Sequence, residues 1–273
     1  MQDIIKIEKI AQYMRCAMLD ISYKCKLGVH LGGGLSSVEI LATLYSHVMN
    51  YNSSNPRWDD RDRFILSKGH GVLSYYSALL ATNIISKEEF ESFQTNESSL
   101  IAHPVMNMDL GIESSNGSLG QGLSMSVGIA LAAKNNNSKY KVYTLIGDGE
   151  CDEGSIWEAI MLAPSLKLGN LTVIVDYNKL QSDGDKVVDL GDLASKFREF
   201  GWEAFDIDGH NVSQLLKSFE VGQADGRPKV IVAHTIKGKG VSFMESNNDW
   251  HHGILTSKRY EEAKIDLKTG NGN

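Results

Sequence analysis

The chain has 273 residues, 42% of them hydrophobic and 22% charged, with a formal net charge of −7. This length is ample for a buried core and the balance is that of a globular protein, while the acidic excess argues against sequence-independent nucleic-acid binding, which needs a basic face. No apolar run is long enough to span a bilayer and the N-terminus lacks a signal-peptide core; the three cysteines, Cys16, Cys25 and Cys151, read as reduced thiols of a cytoplasmic protein.

Ile7, Ile10, Met14, Ala17, Met18 and Ile21 recur at helical spacing and predict an opening amphipathic helix. A glycine-rich loop follows, Gly28-Val-His30-Leu-Gly-Gly-Gly34. Ser36 and Glu39 have the spacing of a capping box and predict a helix from Val38 to Val48. Arg63–Leu66 reads as a short strand ending in Ser67-Lys-Gly-His70-Gly. A helix through Tyr75 and Leu79 comes next, then a second capping box at Ser86 and Glu89. The loop Ala102-His103-Pro104 and the stretch Asn116-Gly-Ser-Leu-Gly-Gln-Gly122 lead into a helix from Ser124 to Lys134. After the central unit described next, a helix is predicted over Asp192–Phe200 and a strand over Trp202–Asp208. A helix over Val212–Val221 and a strand over Lys229–His234 complete the pattern. About five β/α repeats predict an α/β fold, a doubly wound, mostly parallel sheet with helices on both faces. No linker interrupts it, so residues 1–273 are expected to form a single domain with a frayed tail from about 268.

The most informative stretch is Gly147-Asp148-Gly149, followed about thirty residues later by Asp176-Tyr-Asn178-Lys-Leu180. Lys141–Ile146 and Leu171–Asp176 read as buried strands, and Gly154–Lys167 has helical spacing between them. A strand–helix–strand unit sets two strand ends side by side at the carboxyl edge of a parallel sheet, where open α/β folds bind ligands. A carboxylate, an amide oxygen and a main-chain carbonyl are hard donors suited to Mg²⁺ or Ca²⁺. Glycines beside Asp148 let a diphosphate approach the backbone, and the following helix offers its N-terminal amides. Asp148-Gly149 alone would be a common turn; the second half at this distance, after a second strand, is what lends it weight.

This paired wording resembles the thiamine diphosphate signature. Gly147-Asp-Gly-Glu-Cys-Asp-Glu-Gly154 and Leu166-Lys-Leu-Gly-Asn-Leu171 resemble the transketolase family. The resemblance implies thiamine diphosphate with Mg²⁺ (or Ca²⁺ or Mn²⁺ in its place), the metal held by Asp148, Asn178 and the Leu180 carbonyl. It implies cofactor contacts from His70, Gly117, Ser118, Leu119, Gly149, Asn178, Lys237 and His251. It implies catalytic or substrate-facing roles for His30, His103 and His251, and for Glu153 a place at a subunit contact in a proton-sharing network. Glu153 has an equally simple reading as an acid at a helix N-terminus. In Trp250-His251-His252-Gly253 two histidines stand where the family commonly has one; counting from Lys237 favours His251, adjacency to Gly253 favours His252. The first site also departs from the family's glycine-histidine-proline-glycine, reading Val29-His30-Leu31-Gly32.

Family transketolases run to well over twice this length. The resemblance covers essentially the whole chain but only the diphosphate-binding part of that architecture. The pyrimidine-binding domain, whose glutamate the cofactor ring needs, is absent. The expectation is therefore the N-terminal subunit of a split transketolase, partnered by a C-terminal subunit in a hetero-tetramer with a homodimeric contact, and acting on sugars or sugar phosphates. The alternatives are a deoxyxylulose phosphate synthase-like or 2-oxo acid dehydrogenase-like subunit, or a non-catalytic cofactor-binding remnant.

Overall fold

The computed structural model describes residues 1–182, 184, 187–222 and 224–270. Five parallel strands form the sheet: β1 (Arg63–Leu66), β2 (Val142–Gly147), β3 (Leu171–Tyr177), β4 (Glu203–Asp208) and β5 (Lys229–His234), in the order β1-β2-β3-β5-β4. β2 is buried along its whole length and β3 and β5 along all but their last residue, which is why they read as unbroken apolar runs. Edge strand β4 is half-exposed.

Helices cover both faces. One apolar layer packs α1 (Gln2–Cys25), α3 (Val38–Thr43), α4 (Val72–Ala81) and α9 (Val212–Glu220) on Tyr143, Leu145, Ile174 and Ile231. The other packs α6 (Gly122–Asn135), α7 (Gly154–Ser165) and α8 (Leu193–Glu199) on Ile146, Val173, Val175 and Val232. The doubly wound α/β sheet expected from the sequence is thus the observed fold.

Four local features differ from expectation. The glycine-rich loop contains a short helix, α2 (Leu31–Leu35), because its glycines take close neighbours: a Cβ on Gly34 would lie 2.8 Å from the Met18 methyl, and one on Gly33 2.9 Å from the His70 ring. The helix predicted over Val38–Val48 gives way at Leu44 to a π-type turn, Leu44–Val48. The Ser36–Glu39 capping box does not form. Ser36 donates instead to Asp176 at 2.6 Å, and Glu39 pairs with Arg15 and His210. The pattern does form at Ser86–Glu89, where it opens α5 (Lys87–Glu91). Finally, α10 (Ser257–Thr269) was not anticipated; it ends at Gly270 in the left-handed region, so Lys268 and Thr269 are still helical. The rest of the expected frayed tail, 271–273, lies outside the described residues. Among the described residues no helix is long and apolar enough to cross a membrane.

Candidate functional site

The registry of β2 with β3 aligns Gly147 with Asp176, so the loops leaving both strands emerge together. Asp148 follows Gly147 directly. Its Oδ2 accepts the Lys179 main-chain N–H at 2.6 Å, its Oδ1 accepts that of Gly149 at 3.0 Å, and its own N–H donates to the Asp176 carbonyl. Lys179 sits at φ 63, a conformation costing a non-glycine residue about 1 kcal/mol. That turn aims its N–H at Asp148 and returns the Leu180 N–H to Asn178 Oδ1 at 3.1 Å, an Asx turn. Asp148, Asn178 and Leu180 are thereby held at one place.

Burial first, then repulsion from Asp176, pushes the Asp148 carboxyl up to about 6. Among the described residues its oxygens accept only from main-chain N–H groups. A carboxylate that is costly to ionise and lacks a side-chain cation is what a bound divalent ion relieves. The Asn178 and Leu180 oxygens are also suitable, since each carbonyl has two lone pairs and a single hydrogen bond occupies one. The donor set therefore fits a hard cation such as Mg²⁺.

Lys237, 1% exposed, reaches this loop from beyond β5. Its Nζ donates to the carbonyls of Leu180 (3.3 Å) and Gln181 (3.2 Å) and to Asn248 Oδ1 (3.0 Å), and lies 2.9 Å from His251 Nδ1. Burial, then the neighbouring charge of Lys68, lowers it to about 8. Lys237 is the link between the carboxylate loop and a group of five imidazoles. His30 is central: its ring centroid lies 5.8 Å from His70, 5.6 Å from His103, 5.3 Å from His251 and 4.6 Å from His252. His70 and His251 are 5.5 Å apart. Burial, followed by repulsion from His252 and the other rings, brings His30 down to about 4; burial and then Lys68 bring His70 well below its usual value, and burial lowers His103. These three rings are neutral at neutral pH, each with one donor and one acceptor for a hydroxyl or carbonyl.

His30 caps the start of α2, and His70 lies in the tight turn Gly69–Gly71 after β1. Gly69 must be glycine, since a Cβ would overlap the Asn116 carbonyl. Gly117 and Ser118 are exposed and Leu119 half-buried, with Gly117 beside the His103 ring. Gly120, at φ 82, donates its N–H to Glu150 Oε1 at 2.8 Å and so ties this segment to the strand ends. Gly149 packs against the Gln181 side chain. Glu153 is exposed at the N-cap of α7 and abuts Gly120, apart from the imidazoles. Both His251 and His252 join the cluster, but only His251 also meets Lys237.

Sequence reasoning did not pick out the polar layer beneath the site. Lys68 and Asp176 form a buried ion pair, with Lys68 also donating to the Gly33 carbonyl at 2.8 Å and Thr235 donating to Asp176. Burial alone would lift the Asp176 carboxyl, but Lys68 outweighs it and holds it below the usual range. Glu150, 1% exposed, accepts from Ser67 and from the main chain of Gly120 and Gly147; burial pushes its carboxyl up. The available signal was a charged residue immediately beyond, or closing, a short apolar strand.

Oxygen donors at the ends of adjacent parallel strands, beside neutral imidazoles, define an α/β protein that binds a cation and an anionic cofactor at its carboxyl edge. A family model described as transketolase, thiamine diphosphate binding domain, matches residues 6–270. One of the two apulose-4-phosphate transketolase subunits of Phocaeicola vulgatus is 40% identical over 260 residues, which cover 94% of this chain and 92% of that protein. The 6-deoxy-6-sulfo-D-fructose transketolase subunit SqwG of a Clostridium species is 42% identical over 247 residues, covering 89% and 90%. The crystal structure of transketolase from Campylobacter jejuni superposes with a TM-score of 0.86 at 30% identity, over 95% of this chain but 43% of that one. The chain belongs to the transketolase family, and corresponds to its N-terminal, thiamine diphosphate-binding unit.

Proposed function

We propose that this chain is the N-terminal subunit of a split transketolase. Together with a separate C-terminal subunit carrying a pyrimidine-binding domain, it moves a two-carbon ketol unit from a ketose or ketose phosphate to an aldose or aldose phosphate. The observation that carries this reading is the meeting of Asp148, Asn178 and Leu180 at the strand ends, joined through Lys237 to the histidine cluster. The naming of two relatives as transketolase subunits, each matched along nine-tenths of its length, supports a partner chain.

In this reading Asp148, Asn178 and the Leu180 carbonyl hold Mg²⁺, for which Ca²⁺ or Mn²⁺ can stand in. His70, Gly149, Lys237 and His251 face the diphosphate, and Gly117, Ser118 and Leu119 line the cofactor's ring end. Thiamine diphosphate, when bound, supplies the carbon nucleophile and the electron sink that ketol transfer needs. Lys237 and the main-chain amides of the Asp148 loop balance anionic charge. His30 and His103, neutral and partly buried, hydrogen-bond sugar hydroxyls and hold or pass a proton near the sugar carbonyl oxygen. Glu153 acts at a contact between two copies of this chain. The neighbouring outer face of α7, where Met161 and Leu162 are about half exposed, supports such a contact and hence a hetero-tetramer. The free cysteines accord with a cytoplasmic setting.

Co-expression with a candidate partner tests the proposal. Two-carbon transfer is expected from the purified pair with Mg²⁺ and thiamine diphosphate, and is expected to vanish on chelation or without the partner. Robust turnover by the isolated chain would refute the divided site. Turnover of pyruvate in place of a ketose donor would favour a deoxyxylulose phosphate synthase-like or 2-oxo acid dehydrogenase-like role.

A further inference from the structure

The two adjacent histidines of the 250–253 loop occupy different positions. His251 points inward to Lys237 and His70. His252 is exposed, its ring 4.6 Å from His30, and its nitrogens make no hydrogen bond among the described residues. A series of neighbours leads outward from the carboxylate loop: Leu180, Lys237, His251, His30 and then His252, at the end remote from Asp148. Two main-chain hydrogen bonds fix its place, Val29 N–H to the Gly253 carbonyl at 2.9 Å and Gly253 N–H to the Val29 carbonyl at 3.0 Å. Beside this bridge Gly28 receives the ring: a Cβ there would overlap the imidazole, 2.9 Å from Nε2. Gly28 does not have a positive φ, so it is a small residue for want of space and not for backbone conformation.

We propose that His252, seated on Gly28, is a specificity-determining residue whose imidazole hydrogen-bonds a hydroxyl of the sugar substrate at the rim of the histidine cluster. A polyhydroxylated chain is the chemistry a paired donor and acceptor suits. Gly28 is the positioning residue, since any side chain there displaces the ring. This inference rests on the sugar-transfer reading above.

The test uses the assembled enzyme with its partner chain, Mg²⁺ and thiamine diphosphate. His252→Gly is expected to raise KM for the ketose donor or the aldose acceptor about fivefold to tenfold, the loss of roughly one hydrogen bond, with kcat changed by less than about threefold. Gly28→Ala should reproduce that rise. In the double variant Gly28→Ala should add nothing, because the ring it displaces is gone. Sugar KM values within twofold of wild type in His252→Gly overturn the proposal, as does an undiminished effect of Gly28→Ala in the His252→Gly background. A readout independent of turnover is histidine-ring NMR of the same assembly titrated with ketose. The ring resonances lost in His252→Gly should shift with sugar; resonances that stay still refute the contact. If the wild-type assembly transfers no two-carbon unit while those resonances respond to sugar, the reaction assignment fails and the sugar contact stands.

Discussion

Replacing Asp148 by Asn separates the cost of the buried carboxylate from its use. In the protein without a bound cation, the Asp148 carboxyl is raised from 3.8 to about 6, by burial first and by Asp176 second. A raised value means that the folded state holds this proton more tightly than the unfolded chain. The associated stability is fully present below about pH 4 and is lost as pH rises through 6. At about 1.4 kcal/mol per unit of pKa, wild type should lose on the order of 2 kcal/mol relative to Asp148→Asn between pH 4 and pH 7.5, and about 1 kcal/mol once partial solvent exposure is allowed for. The amide also leaves one of the Gly149 and Lys179 N–H groups without its acceptor, which adds a pH-independent offset of about 1 kcal/mol against the variant. The diagnostic is thus the change with pH in the stability difference. Urea unfolding in the presence of a chelator, at several pH values between 4 and 7.5, measures it. Adding Mg²⁺ and thiamine diphosphate at neutral pH should then stabilise wild type and not the variant. Parallel curves for the two proteins across the whole range would refute the idea that Asp148 is an uncompensated charge awaiting a cation.

Other substitutions probe the surrounding network. Lys68→Met strands the buried Asp176 carboxylate and should cost about 3–5 kcal/mol in urea unfolding; a loss below about 1 kcal/mol would contradict the ion pair's role. Glu39, lifted by burial but brought down to about 2 by Arg15 and His210, contributes about 3 kcal/mol above pH 4.5 that is lost as pH falls toward 2. Acid unfolding of Glu39→Gln should accordingly depend less on pH across that window than that of wild type. Gly69→Ala drives a methyl into the Asn116 carbonyl and should destabilise by about 1–3 kcal/mol, with a normal thermal transition as the contrary result. His210→Ala leaves the Ile236 N–H and Glu39 each short of a partner; it should cost about 1–3 kcal/mol and weaken cofactor retention through Lys237, as equilibrium binding would show.

What could be read from the sequence was local or periodic. β2, β3 and β5 lie between two helical layers, so their residues are apolar without alternation and stand out as runs. The spacing between Asp148 and Asn178 spans one strand–helix–strand unit, and the structure closes it with a single hydrogen bond from Lys179. The two Ser-x-x-Glu patterns show where such reading stops. Ser86 and Glu89 are exposed and nothing competes with their reciprocal hydrogen bonds. Ser36 is buried with Asp176, 140 residues away, and Glu39 with His210, 171 residues away; those partners win because a buried charge left unpaired costs more than a lost cap. α10 was hidden because its sequence is mostly charged, and only a narrow stripe, Tyr260, Ala263 and Leu267, meets the core. The glycines of α2 looked like a loop because helix propensity counts against them, whereas the need for His70 and Met18 to approach them lives entirely in tertiary structure.

The same distinction explains how the two halves of the site come to face each other. The histidines stem from the first, second and last parts of the chain, the oxygen donors from its middle. Lys68 sits two residues before His70 and bonds both the Gly33 carbonyl of α2, which His30 caps, and the Asp176 carboxylate, two residues before Asn178. Ser36 and Thr235 hold the same carboxylate from α2's far end and from the segment leading to Lys237. One buried ion pair thus registers β1, α2, β3 and the loop after β5 at their site-facing ends. A neutral, well-packed substitute can match its contribution to stability, since buried pairs often gain little over apolar packing. It would lack the directional bonds to four separate segments, and those bonds set where His30, His70, Asn178 and Lys237 stand relative to one another.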